Sequence, residues 1–127
     1  MIKEYIVANQ SNFPLSPSNN IVIQGVGNNS LVLPESLKIG EYISIYSNNE
    51  GLTYLQGSSN QIIEWLDHSG DLQSISADIG INFDEGSQFM ILYCGIREKD
   101  KKQLFILKDA VGNISVNLPA ASKSQSF

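Results

Sequence analysis

The sequence predicts an all-β fold, an antiparallel β-sandwich of jelly-roll type with little or no helix. Short apolar segments of period two alternate with turns rich in Asn, Ser and Gly along all 127 residues. Asn tolerates a positive φ and hydrogen-bonds its own backbone, so the Asn pairs at 19–20, 28–29 and 48–49 mark turns. No segment repeats its apolar residues at a helical spacing. Regularly spaced turns between alternating segments are typical of sandwiches and barrels.

The N-terminal part contains three strand candidates and one irregular segment. Residues 2–8 alternate and predict the first strand. Residues 12–18 contain two prolines, which lack the amide donor of a central strand, so an extended arm or an edge segment is expected there. Residues 21–25 and 31–33 are apolar segments joined through a Gly-Asn-Asn turn. Leu-Pro ends the second of them, and residues 35–40 are predicted to make a short crossing.

The middle of the chain has the clearest alternation. Within residues 41–47, Ile43 and Ile45 lie on one face, and Tyr and Ser side chains lie on the other. The Asn-Asn-Glu-Gly turn that follows predicts a hairpin into residues 52–56.

The C-terminal part contains five further strand candidates. Residues 61–66 and 72–76 are joined by a His-Ser-Gly-Asp turn. Residues 89–96 form the longest apolar run, and a charged Arg-Glu-Lys-Asp-Lys-Lys segment is expected to be the hairpin tip that returns the chain through residues 104–107. The last strand, 114–118, alternates cleanly.

The length of the chain favours a single domain with its own core. We place this domain at residues 1–118, with residues 12–18 as its proline-containing arm. Residues 119–127 are expected to form a C-terminal tail, either loose or laid on a neighbouring subunit.

Two strands are apolar on both faces, namely 89–94 and 104–107. The outer face of a two-sheet sandwich is normally polar, so a second surface must cover these side chains. Either another subunit or the protein's own N-terminal arm could do so, and closed symmetric oligomers are the common solution. The interface prediction comprises Phe89, Met90, Ile91, Leu92, Phe105 and Leu107.

The charge distribution excludes one class of partner and suggests another. The net charge is −5, which argues against nucleic-acid binding. Eight acids and no base lie between Ile39 and Ile96, whereas five of the eight bases lie between Arg97 and Lys108. Such opposite regions can steer copies of a protein together or dock it on a charged partner, although solvated loops are the simpler explanation. No signal peptide or membrane-spanning segment is visible, so the chain is expected to be made in a host cytoplasm, without membrane insertion.

Four local patterns invite a chemical interpretation, and each has a simpler structural one. The neighbours Asp67, His68 and Ser69 cannot form a catalytic triad, because consecutive side chains diverge. Cys94 lies in an apolar run that does not favour a thiolate, so a dyad with His68 is not expected. Asp67, Ser69 and Asp71 lack the rest of a calcium loop and predict an Asx turn. A Gly-Val-Gly sequence at 25–27 lacks the third glycine and the helix of a dinucleotide site.

The sequence therefore predicts no catalytic residue, no metal ligand and no cofactor. Three aromatic residues, Tyr42, Tyr46 and Trp65, are the candidates for contacts with a glycan or with another subunit, because aromatic rings supply a large contact area, with a polar tip in Tyr and Trp. Tyr54, across the expected hairpin, could join Tyr42 and Tyr46 in one aromatic patch. Packing in the core or across strands is the alternative for all of them.

Residues 30–48, SLVLPESLKIGEYISIYSN, resemble a pattern of bacteriophage tail-fibre and other virion appendage domains. The pattern is an apolar strand, Leu-Pro, a short polar crossing, Gly and an alternating strand that ends near Asn, and residues 61–63 fit its companion strand. Residues 113–121 repeat the Leu-Pro half. The resemblance covers about a third of the chain. It implies a stable β-rich module, usually trimeric, in a virion, and it carries no catalytic residues.

The sequence thus favours a non-enzymatic phage structural protein that associates with itself, as an expected homotrimer, and with other virion proteins. Its place would be a tail fibre, a needle tip or the head surface. A capsid decoration protein that clamps coat subunits is the alternative within this class. A carbohydrate-binding module is the alternative outside it, with a host surface glycan as the partner.

Overall fold

The computed structural model describes residues 3–7, 11–16 and 19–116. Within these ranges the chain forms twelve strands in two packed sheets and no helix, so the expected all-β sandwich is confirmed. The strands are β1 Lys3–Val7, β2 Phe13–Pro14, β3 Asn19–Gly25, β4 Asn29–Val32, β5 Tyr42–Asn49, β6 Thr53–Gln56, β7 Gln61–Leu66, β8 Leu72–Ser76, β9 Ile81–Phe83, β10 Gln88–Arg97, β11 Lys102–Val111 and β12 Ile114–Val116. A helix able to cross a membrane does not occur in the part of the chain described.

The two sheets mix parallel and antiparallel pairs. The seven-stranded sheet has the order β1-β3-β5-β10-β11-β7-β8, and the five-stranded sheet has the order β12-β9-β6-β4-β2. Strands β1, β3 and β5 pair in parallel in the first sheet, as do β2, β4 and β6 in the second. A jelly roll is built from antiparallel strands, so the jelly-roll part of the expectation is not confirmed, and the sandwich is of mixed type.

From β1 to β6 the chain alternates between the two sheets and builds parallel coils. The predicted hairpin between β5 and β6 is therefore wrong, because these two strands lie in different sheets. The segment between them is an arch, stacked on the arch that joins β3 to β4. Asn49 stabilises this stack, since its Nδ2 donates a hydrogen bond of 2.8 Å to the Gly27 carbonyl. Asn49 itself is fully buried.

The hairpin β10–β11 lies in the middle of the seven-stranded sheet, between β5 and β7. β10 pairs antiparallel with β5, and β11 pairs in parallel with β7. The charged tip predicted at 97–102 closes this hairpin. There the Lys101 amide donates a hydrogen bond of 2.8 Å to the Arg97 carbonyl. A segment late in the sequence thus joins the coil strands to the β7–β8 hairpin.

The core lies between the two sheets and is formed by alternate residues of the inner strands, such as Ile43 and Ile45 of β5 and Phe89 and Ile91 of β10. Two aromatic pairs fill its centre. Phe83 and Phe89 meet edge to face with ring centroids 4.9 Å apart, and Tyr93 lies 5.1 Å from Phe105. These pairs connect β9 to β10 and β10 to β11, so the inserted hairpin is anchored by its inner side chains.

Candidate functional site

The outer face of the seven-stranded sheet divides the predicted interface residues into two groups. Phe89, Ile91, Phe105 and Leu107 point inward and are buried in the core. They cannot contact a partner, which corrects the prediction for these four. Met90 and Leu92 point outward and are half-buried. The correction follows from the period of two: a strand that is apolar on both faces contributes only every second residue to an outer surface.

On one side of this outer face lies an apolar strip, formed by Leu92, Leu104, Ile106, Leu66 and Leu72. The first three are half-buried. Leu66 and Leu72 are opposite one another on β7 and β8 and are 63% and 61% exposed. The predicted residues include only Leu92 of this strip. The alternation of β11 could have identified Leu104 and Ile106, but the sheet order was needed to add Leu66 and Leu72.

A cluster of charges crosses the strip. Arg97 Nη1 lies 2.8 Å from Glu64 Oε2, and its Nε and Nη2 donate to Asp100 at 3.1 and 2.5 Å. Ser74 Oγ also donates to Glu64, at 3.0 Å. The bonds from Arg97 lower the pKa of Asp100 from 3.8 to about 2. The hydrogen bonds that Arg97 donates to Asp100 are the main cause that raises the pKa of Arg97. Arg97 is thus paired within the chain.

On the other side of the outer face lies a groove of about 360 Å³ between β3, β5 and β10. Its apolar lining includes the outward-facing Tyr46, Val22 and Met90, beside the buried Ile21, Ile45 and Phe89. Val22 and Tyr46 are register partners on β3 and β5, whereas Met90 faces Ser44 from β10. The groove is therefore a notch at the small side chain of Ser44, with larger side chains around it.

Four polar side chains also line the groove, those of Asn20, Ser44, Gln88 and Asp109. None of the four is hydrogen-bonded or ion-paired to another residue in the described ranges. The sequence analysis did not select any of them. Ser44 and Gln88 share the alternation of Tyr46 and Met90, which was visible in the sequence. The positions of Asn20 and Asp109 beside the groove could not be predicted without the order of the strands in the sheet.

The three predicted aromatic residues do not form one platform. Tyr42 and Tyr46 lie on the outer face and are 38% and 43% exposed. Trp65 points into the core and is 5% exposed, so it cannot contact a glycan or a subunit, which corrects that prediction. Tyr54 lies on β6 in the other sheet, away from the two exposed tyrosines. Only Tyr46 lines the groove.

The residues considered for catalysis and metal binding have structural surroundings. Asp67 Oδ1 accepts bonds of 2.9 Å from the amides of both Ser69 and Asp71, which is the predicted Asx turn. The bond from the Asp71 amide is the main cause that lowers the pKa of Asp67. His68 borders a separate cavity of about 80 Å³. Burial raises the pKa of Cys94, which disfavours its thiolate.

No group of three or more His, Cys, Asp or Glu side chains within the described ranges is placed to hold a metal ion. Comparison of the chain with protein-family models and with curated proteins gives no match. The arguments for function therefore come from the outer face itself, with its apolar strip and its groove.

Proposed function

We propose that this chain is a non-enzymatic structural module of a bacteriophage virion that associates with copies of itself through the apolar strip. The exposed pair Leu66 and Leu72 carries the proposal, because each side chain is more than 60% exposed although it lies in a regular sheet beside further apolar residues. Full burial of a Leu side chain contributes about 1.5–3 kcal/mol relative to exposure. Association therefore has a substantial driving force at this surface.

The edge of the sheet supports the same surface. β8 is an edge strand, and Leu72–Ser76 contains neither a proline nor a charged residue. Prolines and charges are the usual devices that prevent pairing at an edge. Two of the other three edges carry such residues, since β1 contains Lys3 and Glu4 and β2 contains Pro14, whereas the short edge strand β12, Ile114–Val116, does not. The longer of the two unprotected edges, β8, is thus the one that contains the exposed Leu72.

The charges near the strip are compatible with a second copy of this chain as the partner. Glu64 and Asp100 neutralise Arg97 and leave one carboxylate in excess, whereas Lys108, opposite Met90 on the neighbouring strand, brings a positive charge to the same face. Two copies that are offset along this face can therefore place opposite charges against each other. A homotrimer is the expected assembly, as the appendage resemblance implies.

The assignment to a virion is supported by the resemblance of residues 30–48. In the fold, this segment covers β4, the crossing and β5, so it forms one strand of each sheet. Placement at a tail fibre, a needle tip or the head surface is consistent with a compact β module. Mass spectrometry of purified particles tests this part, and absence of the protein from them would contradict it.

Size-exclusion chromatography with light scattering tests the association. We expect an oligomer for the parent protein at micromolar concentration, and a shift to monomer for Leu72→Asp and for Leu66→Asp, since a charge in the strip would be desolvated on association. Val26→Asp is the matched control, because Val26 is 67% exposed but lies in an arch, away from the strip. A monomeric parent, or strip variants that assemble like it, would contradict the proposal.

A further inference from the structure

We propose that the groove between β3, β5 and β10 binds a neutral saccharide, with the ring of Tyr46 as its apolar platform. Pockets for small molecules have volumes of roughly 300–1,000 Å³ and combine apolar walls with a few polar groups. The groove, at about 360 Å³, has this size and this mixture. It lies beside the apolar strip and shares none of the strip's residues.

The apolar part of the groove suits the C–H face of a sugar ring. Tyr46 is 43% exposed, so much of its ring is accessible from the groove. Val22 and Met90 extend the apolar surface on the neighbouring strands. An aromatic ring offers a flat contact with little loss of conformational entropy, since the Tyr side chain has only two χ angles.

The polar part suits a ligand with several hydroxyl groups. Asn20 and Gln88 each offer two donor hydrogens and an acceptor, Ser44 offers a hydroxyl, and Asp109 offers two acceptor oxygens. All four side chains lack partners within the described ranges, so binding would not require them to break hydrogen bonds in the protein. A hydroxyl group of a sugar both donates and accepts, which matches this mixed set.

The backbone turns Asp109 towards the groove. Between the register pairs Gln88/Val111 and Met90/Lys108, Asp109 and Ala110 oppose a single residue of β10, which is a β-bulge. Asp109 has a φ of 54°, in the left-handed region that Asp and Asn adopt more readily than most residues. Bulges often redirect a side chain beside a binding site.

The charge of the groove selects against anionic ligands. The described lining contains one carboxylate, that of Asp109, and no Lys or Arg. A phosphate or carboxylate ligand would meet this like charge at the lining itself, whereas the nearby Lys108, the register partner of Met90, is not among the lining residues. A neutral sugar avoids this repulsion and can still donate hydrogen bonds to the carboxylate.

A glycan array followed by an NMR titration tests the proposal. The array is probed with the full chain, and amide shifts are then recorded with the neutral sugars D-glucose, D-galactose and N-acetyl-D-glucosamine and with any array hit. We expect binding of a neutral glycan, with shifts centred on Ser44, Tyr46 and Gln88. Tyr46→Ala should weaken binding about tenfold, by loss of the ring contact.

Two further variants separate the groove from the rest of the face. Asp109→Asn keeps a residue that tolerates the positive φ and removes the charge, so it should weaken binding severalfold without loss of folding. Tyr42→Ala is the matched control on the same strand and face, outside the groove, and should bind like the parent protein.

Three results would overturn the proposal. The first is no binding to any glycan of the array, and the second is shifts away from the groove. The third is groove shifts that depend on protein concentration without sugar, which would make the groove an interface between copies of the chain. Because Tyr46 and Asp109 lie outside the apolar strip, the oligomeric state reports on self-association independently of these results.

Discussion

The coil strands β1 to β6 and the hairpin β10–β11 belong to the same sandwich but are stabilised in different ways. The coils pair in parallel and are connected by arches that stack backbone on backbone. Their closest contacts involve Gly and buried Asn. The hairpin pairs antiparallel and has apolar side chains on both faces. Both regions contribute side chains to the core, but the coils in addition depend on the close fit of their arches, which the hairpin does not have.

This difference also explains where the candidate sites lie. The hairpin is the centre of the seven-stranded sheet, so its outer face is shared by two surfaces. Towards the coils it borders the groove, where Asn20 and Ser44 are polar. Towards β7 and β8 it borders the apolar strip. One segment can therefore serve association on one side and ligand contact on the other.

The largest expected effect tests the inner face of the hairpin. Phe105 is fully buried and its ring lies 5.1 Å from that of Tyr93. Phe105→Ala should lower the free energy of unfolding by about 3–5 kcal/mol, because it removes apolar contacts and leaves a cavity. Urea denaturation measures this. Ile106→Ala is the control, because Ile106 is the next residue and is half-buried on the outer face. It should lower the free energy of unfolding by less than half as much as Phe105→Ala. Equal losses would contradict the claim that the inner face of the hairpin contributes more stability than its outer face.

The next effect tests the stacked arches of the coils. A Cβ atom on Gly51 would lie 2.0 Å from the Gly27 carbonyl oxygen, which is backbone and cannot rotate away. Gly51→Ala should therefore destabilise the protein by about 1–3 kcal/mol or more, by overpacking.

Gly70 provides the control for this substitution, because it has open space around its Cβ position, with a φ of +81° that Asn tolerates. Thermal unfolding of Gly51→Ala and Gly70→Asn should show a much larger fall in Tm for the first. A small change in Tm for Gly51→Ala would mean that the two arches can move apart without a loss of stability. The stacking of the arches would then not stabilise the coils.

The smallest effect concerns the tip of the hairpin and depends on pH. The folded pKa of Asp100, about 2, lies below its usual value of 3.8, so the pair with Arg97 stabilises the fold above pH 4. This contribution is lost as the pH falls from about 4 to 2. In Asp100→Asn, the decrease in the urea midpoint over this window should be shallower than in the parent protein.

Glu98→Gln is the control at the same tip. Glu98 pairs with the exposed Lys101, at 3.2 Å, and such surface pairs contribute little. This variant should follow the parent protein across the window. If Asp100→Asn also follows the parent protein, the pair between Asp100 and Arg97 does not contribute to the stability of the folded state.

Much of the strand pattern could be predicted from the sequence, since alternation is a local property. The predicted strands at 61–66 and 72–76 agree with β7 and β8, and the alternation of Ile43 and Ile45 places both in the core. β2 lies within the segment 12–18, which was expected to be an extended arm or an edge segment, and it is an edge strand. The short strand β9 was not predicted, because three residues are too few for a period to be visible.

The partner of each strand could not be predicted in the same way. The turn at residues 48–51 has the composition of a hairpin, yet it forms an arch between the sheets. Turn residues specify a local φ and ψ, and both connections use the same residue types. The aromatic patch predicted from the hairpin failed for this reason, as Tyr54 lies in the other sheet.

By itself the sequence determined that the protein is an all-β sandwich and that the hairpin strands are apolar on both faces, because the spacing and polarity of side chains are local properties of the sequence. Only the tertiary structure decided that Trp65 and Phe105 face the core and that Asn20, Tyr46 and Asp109 meet around one groove. These residues come from strands far apart in the chain. Their proximity depends on strand order and on a bulge, which are set by packing between distant segments rather than by any local pattern.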